Sequence, residues 1–492
     1  MAPARKLFLG SVLLVAGLVA LLVWRPVPGP AASGRPLVVY CAAGLKPAID
    51  RIAAEYTRRY GVVVQLQYGG SGTLLNNLRL AGRGDLYLAA DATHLALARQ
   101  QGLVAETLPL ARLTPVLAVR QGNPKQVRSL ADLRRPEVAV ALANPEAASI
   151  GQVVRTLLTR DGTWEGLAAR VKVFKPTVND VANDIKLGTV DAGIVWDAVA
   201  RQYPELEAVR DAALDAVGQE VSLAVLSCCD QPAAALRLAR FMAAADAGLQ
   251  EFARAGYQIV EGDRWEEHPE VTLFSGGVNR LALEPVVQRF EAREGVRVTR
   301  VYNGCGILVA QMKSGQWPDA YLACDVSFLG PVQDRFGPGV TVSETDIVLL
   351  VARGNPLQLR GLADLARPGL RLGVANAQQS TLGDLTVRLL RAAGVFEGVM
   401  ANVRSQTPTA DLLVNQMRTG SLDAVVVYAA NTSQVRDQLE VVPLPGPGAK
   451  AIQPYAVGRD SRHSQLMSRL LAALQSAEAR TNYEALGFRC RP

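Results

Sequence analysis

The stretch YGGSGTLLNNLRLAGRGDLYLAAD at 68–91 returns 234 positions later as YNGCGILVAQMKSGQWPDAYLACD at 302–325. Both open on Tyr, carry Gly-x-Gly, and end in Asp-x-Tyr-Leu-Ala and a final Asp. The same offset aligns EYTRRYGVVV, with Gly61, to RFEAREGVRV, with Gly295. Further on the offset is 232: Gly122-Asn123-Pro124 matches Gly354-Asn355-Pro356, and LADL at 130–133 matches LADL at 362–365. Asp191-Ala192 then matches Asp423-Ala424. Order and spacing hold through both halves, so the chain reads as two copies of one domain-sized unit of about 225 residues. The expected domains are residues 1–34, a first unit at 35–260, a short charged linker at 261–270, and a second unit at 271–492.

Within a unit, strand-like and helix-like segments alternate. PLVVYCA reads as a buried strand and KPAIDRIAAEYTRRYG as an amphipathic helix closed by glycine. VVVQLQY is a second strand, TLLNNLRLAG a helix with Leu74 and Leu78 on one face, and DLYLAAD a third strand. LTPVLAVR, VAVALANP, VKVFKP and AGIVW follow with helices between them. This alternation predicts an α/β fold with mostly parallel sheets. Ligands in such sheets lie at the carboxyl ends of strands, beside helix N-termini.

The glycine turn before Thr73 occupies such a place. It lacks the lysine of a nucleotide-binding loop, G-x-x-x-x-G-K-[ST]. Helix N-termini and loop amides hold an oxyanion with neutral donors alone, and Ser71 adds a hydroxyl. The pattern suits a tetrahedral dianion that is held selectively and released. Asp85, Asp91, Asp191 and Asp197 read either as a carboxylate set or as capping and turn residues.

Charge and composition narrow the function classes. Of 492 residues, 49% are apolar and 20% charged, which supports large buried cores. The net charge of +7 is spread without a run of five like charges, so nucleic-acid binding is not expected. His94, His268 and His463 stand apart, and no C-x-x-C occurs, so neither a metal site nor a cofactor is expected. No G-x-S-x-G, no H-E-x-x-H and no nucleophile–base spacing is present, so the chain does not read as an enzyme. Arg5 and Lys6 precede the uncharged LFLGSVLLVAGLVALLVW, and Arg25 and PVPGPAASG follow. This is an uncleaved membrane anchor or a cleaved export signal, with the bulk of the chain outside the cytoplasm. Cys41, Cys228, Cys229, Cys305, Cys324 and Cys490 read mostly as small buried hydrophobes, although pairing is open in an exported protein.

The ordered set VVYCAAGLKPAIDRIAAEY, GGSGTLLNNL, GDLYLAAD, GNP, SLADL, NPEAASIG and VNDVANDIKLGTVDAGIVW, with a C-terminal helix ending in AGY, resembles the periplasmic molybdate/tungstate-binding proteins of ABC importers. The resemblance covers about residues 37–257 and, more weakly, about 271–488. It implies two tandem type II periplasmic-binding-protein units, each of two α/β lobes with a hinge, after an N-terminal apolar helix. The lobe crossings would fall near 113–120 and 221–226, then near 346–351 and 453–457. The resemblance further implies capture of a molybdate-like oxyanion in the cleft and docking on an ABC permease in the membrane.

The family holds its ligand with two serine hydroxyls, main-chain amides and a tyrosine. Its second serine falls on Ser71 and its first on Gly44, whose amide remains as a donor. Its amide donors fall near Ala147 and Ala148 and on Val178, and its tyrosine falls on Trp196. In the second unit, Val278 and Cys305 stand at the serine positions, Ala410 at an amide position beside Asp411, and Tyr428 at the tyrosine. The competing functions are a receptor for another anion, such as sulfate or phosphate, and a membrane-tethered sensor or scaffold without transport.

Overall fold

The computed structural model of the chain describes residues 35–446 and 448–490. The apolar N-terminal segment, with its anchor or signal reading and its membrane contact, lies outside the described residues. Among these, no helix is long and apolar enough to cross a membrane.

The described residues divide into two compact units. One comprises residues up to Asp230 together with Glu251–Ile259; the other comprises Gln231–Gln250 and Val260 onward.

The first unit holds two sheets. Strands β1 (Leu37–Ala42), β2 (Val64–Gly69), β3 (Leu86–Ala89) and β4 (Val104–Leu113) belong to one lobe, and β5 (Pro115–Arg120), β6 (Val140–Ala143), β7 (Val171–Lys175), β8 (Ala192–Trp196) and β9 (Leu206–Val209) to the other. The chain returns to the first sheet with β10 (Gln219–Leu226) and β11 (Gln258–Ile259), giving the orders β11-β4-β10-β3-β1-β2 and β7-β6-β8-β5-β9. The chain therefore crosses between lobes at Thr114 and again between Val209 and Gln219. The second crossing precedes 221–226, which lies wholly inside the first lobe's sheet.

The expectation of mostly parallel sheets is corrected. β1 pairs in parallel with β2 and β3, and β6 with β7 and β8. β10 is antiparallel to β3 and β4, and β5 to β8 and β9. A strand that arrives from the other lobe enters the sheet from its far end, so it has to run against the local βαβ strands.

The second unit repeats the plan as one ten-stranded sheet. Its strands β12 (Glu270–Gly276), β13 (Arg297–Asn303) and β14 (Ala320–Leu322) match β1–β3. Here the first crossing is a single unbroken strand, β15 (Val340–Ala352), where the first unit breaks at Thr114. The duplication extends to backbone detail. The only described non-glycine residues at positive φ are Asn123 (45°), Gln126 (49°), Asn355 (43°) and Gln358 (50°), at matched positions. Asn123 Nδ2 donates to Val127 O at 2.8 Å, and Asn355 Nδ2 to Leu359 O at 2.8 Å. The asparagine side chain stabilises the left-handed turn that other side chains disfavour.

Helices cover the sheets for local reasons. The helix Lys46–Tyr60 starts with Pro47 in its first turn and ends at Gly61, which takes φ 66°. It buries Ile49, Ile52 and Tyr56 on one face. The helix Ser71–Ala81 buries Leu74 and Leu78 and ends at Gly82 with φ 57°.

Candidate functional site

A cavity of about 20 Å³ lies between the lobes of the first unit. Gly44 follows β1, Ser71 follows β2, Ala90 follows β3, Ala148 to Ile150 follow β6, Val178 follows β7, and Trp196 ends β8; all of these line it. Every contributing strand points its carboxyl end at the cavity, which is where an α/β sheet leaves amide donors and helix N-termini uncovered. None of the lining side chains is charged.

The glycines of the first turn are required by close approach of the other lobe. A Cβ on Gly70 would stand 2.3 Å from Ala147 O and 2.7 Å from Pro176 O. A Cβ on Gly72 would stand 2.6 Å from Glu146 O. With glycine there, the Gly72 and Thr73 amides donate to Ala147 O at 3.0 and 3.2 Å, tying the lobes together. The turn thus serves closure as well as donation.

Ser71 is 1% exposed, and its hydroxyl oxygen accepts from Ala90 N at 3.2 Å. Tyr87 donates to the Ser71 carbonyl at 2.9 Å and fixes the turn. Ser149, from the opposite lobe, places its hydroxyl 2.6 Å from Ser71 Oγ. Behind it sits Asp91, 1% exposed, whose carboxylate caps the helix Ala92–Gln100 by accepting from His94 N at 2.6 Å and meets His94 Nδ1 at 2.7 Å. Burial pushes the Asp91 carboxyl up, but the hydrogen bonds from His94 and Ser149 hold it below the usual carboxylate range. A buried chain Ser71–Ser149–Asp91–His94 therefore backs the cavity.

The sequence points to Ala147 and Ala148 as amide donors, and the structure corrects this. Both amides already donate to Asn144 O, at 3.1 and 2.9 Å. Ala147 offers its carbonyl to the glycine turn, and Ala148 lines the cavity as the N-cap of the helix Ser149–Arg160. The first-turn amides of that helix, Ser149 and Ile150, have no backbone partner among the described residues and lie at the cavity. Val178 begins the helix Val178–Leu187, capped by Thr177, and its amide is a first-turn donor at the cavity.

At Gly44 the missing side chain has a spatial cause. A Cβ there would meet Val178 Cγ1 at 3.2 Å, Val199 Cγ2 at 3.3 Å and Trp196 Cδ1 at 3.6 Å. The space beside Gly44 is occupied by these side chains, and the Gly44 carbonyl is held by the Tyr257 hydroxyl. Trp196 is 1% exposed.

The four aspartates do not form a carboxylate set. Asp85 accepts from Val38 N at 2.8 Å, Asp191 from Ala139 N at 2.9 Å and Asp197 from Thr114 N at 3.1 Å. Each fixes backbone, and Asp197 does so at the lobe crossing.

In the second unit, Cys305 Sγ replaces Ser71 Oγ and accepts from Cys324 N at 3.1 Å, as Ser71 does from Ala90. Val278 is 9% exposed, and Ala410 begins the helix Ala410–Arg418. Burial pushes the neighbouring Asp411 carboxyl up. Tyr428 is buried and its hydroxyl has no hydrogen-bond partner among the described residues. Of the cysteines, Cys41, Cys305 and Cys324 are buried, Cys228 is exposed, and Cys229 and Cys490 are intermediate.

A family model described as "Bacterial extracellular solute-binding protein" matches residues 37–258 and again 271–489. The chain belongs to this solute-binding family, in two tandem copies. The molybdate-binding protein ModA of Mycobacterium tuberculosis is 31% identical over 253 residues, 50% of this solute-binding chain and 95% of that relative. Among solved structures, the periplasmic molybdate-binding protein of Azotobacter vinelandii is 16% identical, covering 45% of this chain and 100% of its own, with a TM-score of 0.41. The sulfate-binding protein SubI of M. tuberculosis is 17% identical, covering 45% and 87%, with a TM-score of 0.40.

Proposed function

We propose that the first unit captures a tetrahedral oxyanion dianion of the molybdate or tungstate type outside the cytoplasm, for an ABC permease in the membrane. The observation that carries this reading is the convergence of uncharged donors on one cavity: the Gly44 amide, the Ser71 hydroxyl, and the first-turn amides of Ser149, Ile150 and Val178. Helix N-termini supply the positive potential, so the anion needs no lysine or arginine. The lining offers no carboxylate to accept a proton from the ligand, which favours a fully ionised dianion over hydrogen phosphate. The likeness to the mycobacterial molybdate-binding protein over nearly all of that relative points to the same class of anion. Sulfate is the competing dianion, because neutral donors discriminate by cavity size rather than charge.

Calorimetric titration of molybdate, tungstate, sulfate and phosphate into the purified chain tests the reading. Molybdate or tungstate is expected to bind tightly at one site. Ser71→Ala is expected to weaken that binding by roughly 10- to 100-fold, the value of a hydrogen bond to a charged group. Preference for sulfate would change the substrate and keep the class. No heat with any of the four would refute the oxyanion reading.

A further inference from the structure

The second unit puts sulfur where the first puts its anion-binding hydroxyl. Cys305 begins the helix Cys305–Lys313 after β13, and Cys324 follows β14. Their sulfurs lie 2.8 Å apart, both side chains are buried, and both cysteines are free thiols in the structure. In the first unit these two positions are Ser71 and Ala90. The pair is thus a local departure within a repeated frame. It also sits in a chain whose family is extracellular, where thiols in contact meet oxidising conditions. A disulfide of about 2.04 Å requires the two sulfurs to close from 2.8 Å.

Three buried side chains, Tyr321, Thr381 and Tyr428, surround the pair, and the hydroxyls of Tyr321 and Thr381 are turned toward Cys305 as donors. These hydroxyls are neutral donors that favour a thiolate at Cys305 and add no third metal ligand. No group of three or more His, Cys, Asp or Glu is placed to hold a metal ion among the described residues. Burial opposes a thiolate at Cys305, but the hydrogen bond with Cys324 offsets it and holds Cys305 below its usual range. The same bond, with burial, pushes Cys324 well up. Cys305 also opens the helix Cys305–Lys313, whose N-terminus favours a thiolate, so Cys305 is the attacking sulfur of the two.

We propose that Cys305 and Cys324 close as a disulfide in the exported protein, making the second cleft a redox-sensitive site rather than a copy of the first anion site. The oxidant is an external disulfide, either a small molecule or a protein. The Cys305 thiolate attacks one of its sulfurs, forming a mixed disulfide and expelling one thiolate. Cys324 then gives up its proton and attacks Cys305 Sγ, forming the internal bond and expelling the second thiolate. Two protein thiols are oxidised, the external disulfide is reduced to two thiols, and these take up the two protons. Because both sulfurs are buried, the exchange takes place with the lobes apart or before folding is complete.

The test is a thiol census of the full chain. The protein is equilibrated with oxidised glutathione, quenched, denatured, alkylated with N-ethylmaleimide and digested with trypsin without reduction. Cleavage after Arg300, Lys313 and Arg335 separates the two cysteines into peptides 301–313 and 314–335. The expected product is these two peptides joined, lighter by two hydrogens than their sum, and released by reductant. Alkylation of either peptide alone is expected to fall at least tenfold. Recovery of both peptides fully alkylated, or of either joined to another cysteine or to glutathione, would overturn the proposal. Cys305→Ser restores the first unit's residue at this position, and in that variant Cys324 is expected to alkylate in full. The wild-type measurement decides the matter even if the variant does not fold.

Discussion

Ser149 and Asp91 act on the candidate site from behind it. The Ser149 hydroxyl lies 2.6 Å from Ser71 and comes from the other lobe, so it is in place only when the lobes meet. Ser149→Ala is expected to weaken oxyanion binding by about tenfold, because the Ser71 hydroxyl loses the partner that orients it, as titration will report. Asp91 holds His94 by both backbone and ring. Asp91→Ala removes a helix cap, about 1 kcal/mol, and leaves a buried ring nitrogen unpaired, roughly 1–3 kcal/mol more. Because its folded pKa is depressed, Asp91 contributes stability above its unfolded value of about 3.9 and loses it as pH falls through the folded one. The difference in melting temperature between wild type and Asp91→Asn is therefore expected to hold at pH 7 and to shrink below about pH 4. Ser149 was not picked out from the sequence because a serine opening a helix reads as a cap. Here Ala148 is the cap, and the serine is left free to face Ser71. The Asp-x-x-His spacing of Asp91 and His94 was the available signal for the second half of the chain.

At the scale of elements, the glycine turn and the helix it opens decide whether the lobes close. A methyl group on Gly70 would fall on two carbonyls of the facing lobe, and backbone cannot step aside as a side chain can. Gly70→Ala is expected to leave each lobe folded but hold the lobes apart. Scattering would then give a larger radius of gyration that saturating anion does not reduce, with circular dichroism unchanged. A normal ligand-induced contraction would refute this role. Cavity-lining positions were legible from the sequence wherever a strand visibly ran into a helix, as at Ser71 and Val178. Donors were misplaced at 147 and 148 because the Asn144 carbonyl turns those two amides inward, a feature of one loop's path that no periodicity records.

For the whole molecule, the second contact unit is assembled from two stretches of sequence. The helix Pro232–Met242 brings Arg240 to Glu294, with Nη1 3.2 Å from Oε2, and Arg469 Nε reaches the same carboxylate at 2.6 Å. All three are nearly buried, Arg240 at 8% and Glu294 at 2% exposure. Burial alone would raise the Glu294 carboxyl, but Arg469 and Arg240 hold it low. Arg240→Ala is expected to cost about 3 kcal/mol, since it leaves part of a buried charge unpaired; chemical denaturation measures this. The pair's contribution is present above about pH 4.3 and lost below it, because the folded pKa lies under the unfolded one.

The sequence alone determined the duplication, the α/β alternation and the strand ends where a ligand would sit, because repeats and hydrophobic periods are local properties of a chain. Tertiary structure decided three things. It decided that the crossing strands run antiparallel to their neighbours, that Ser149 and Ile150 rather than Ala147 present free donors, and that Cys305 meets Cys324. Each depends on which groups from a distant segment arrive beside a given residue. A free amide and a bonded one, or a lone thiol and a paired one, have the same sequence and differ only in their neighbours.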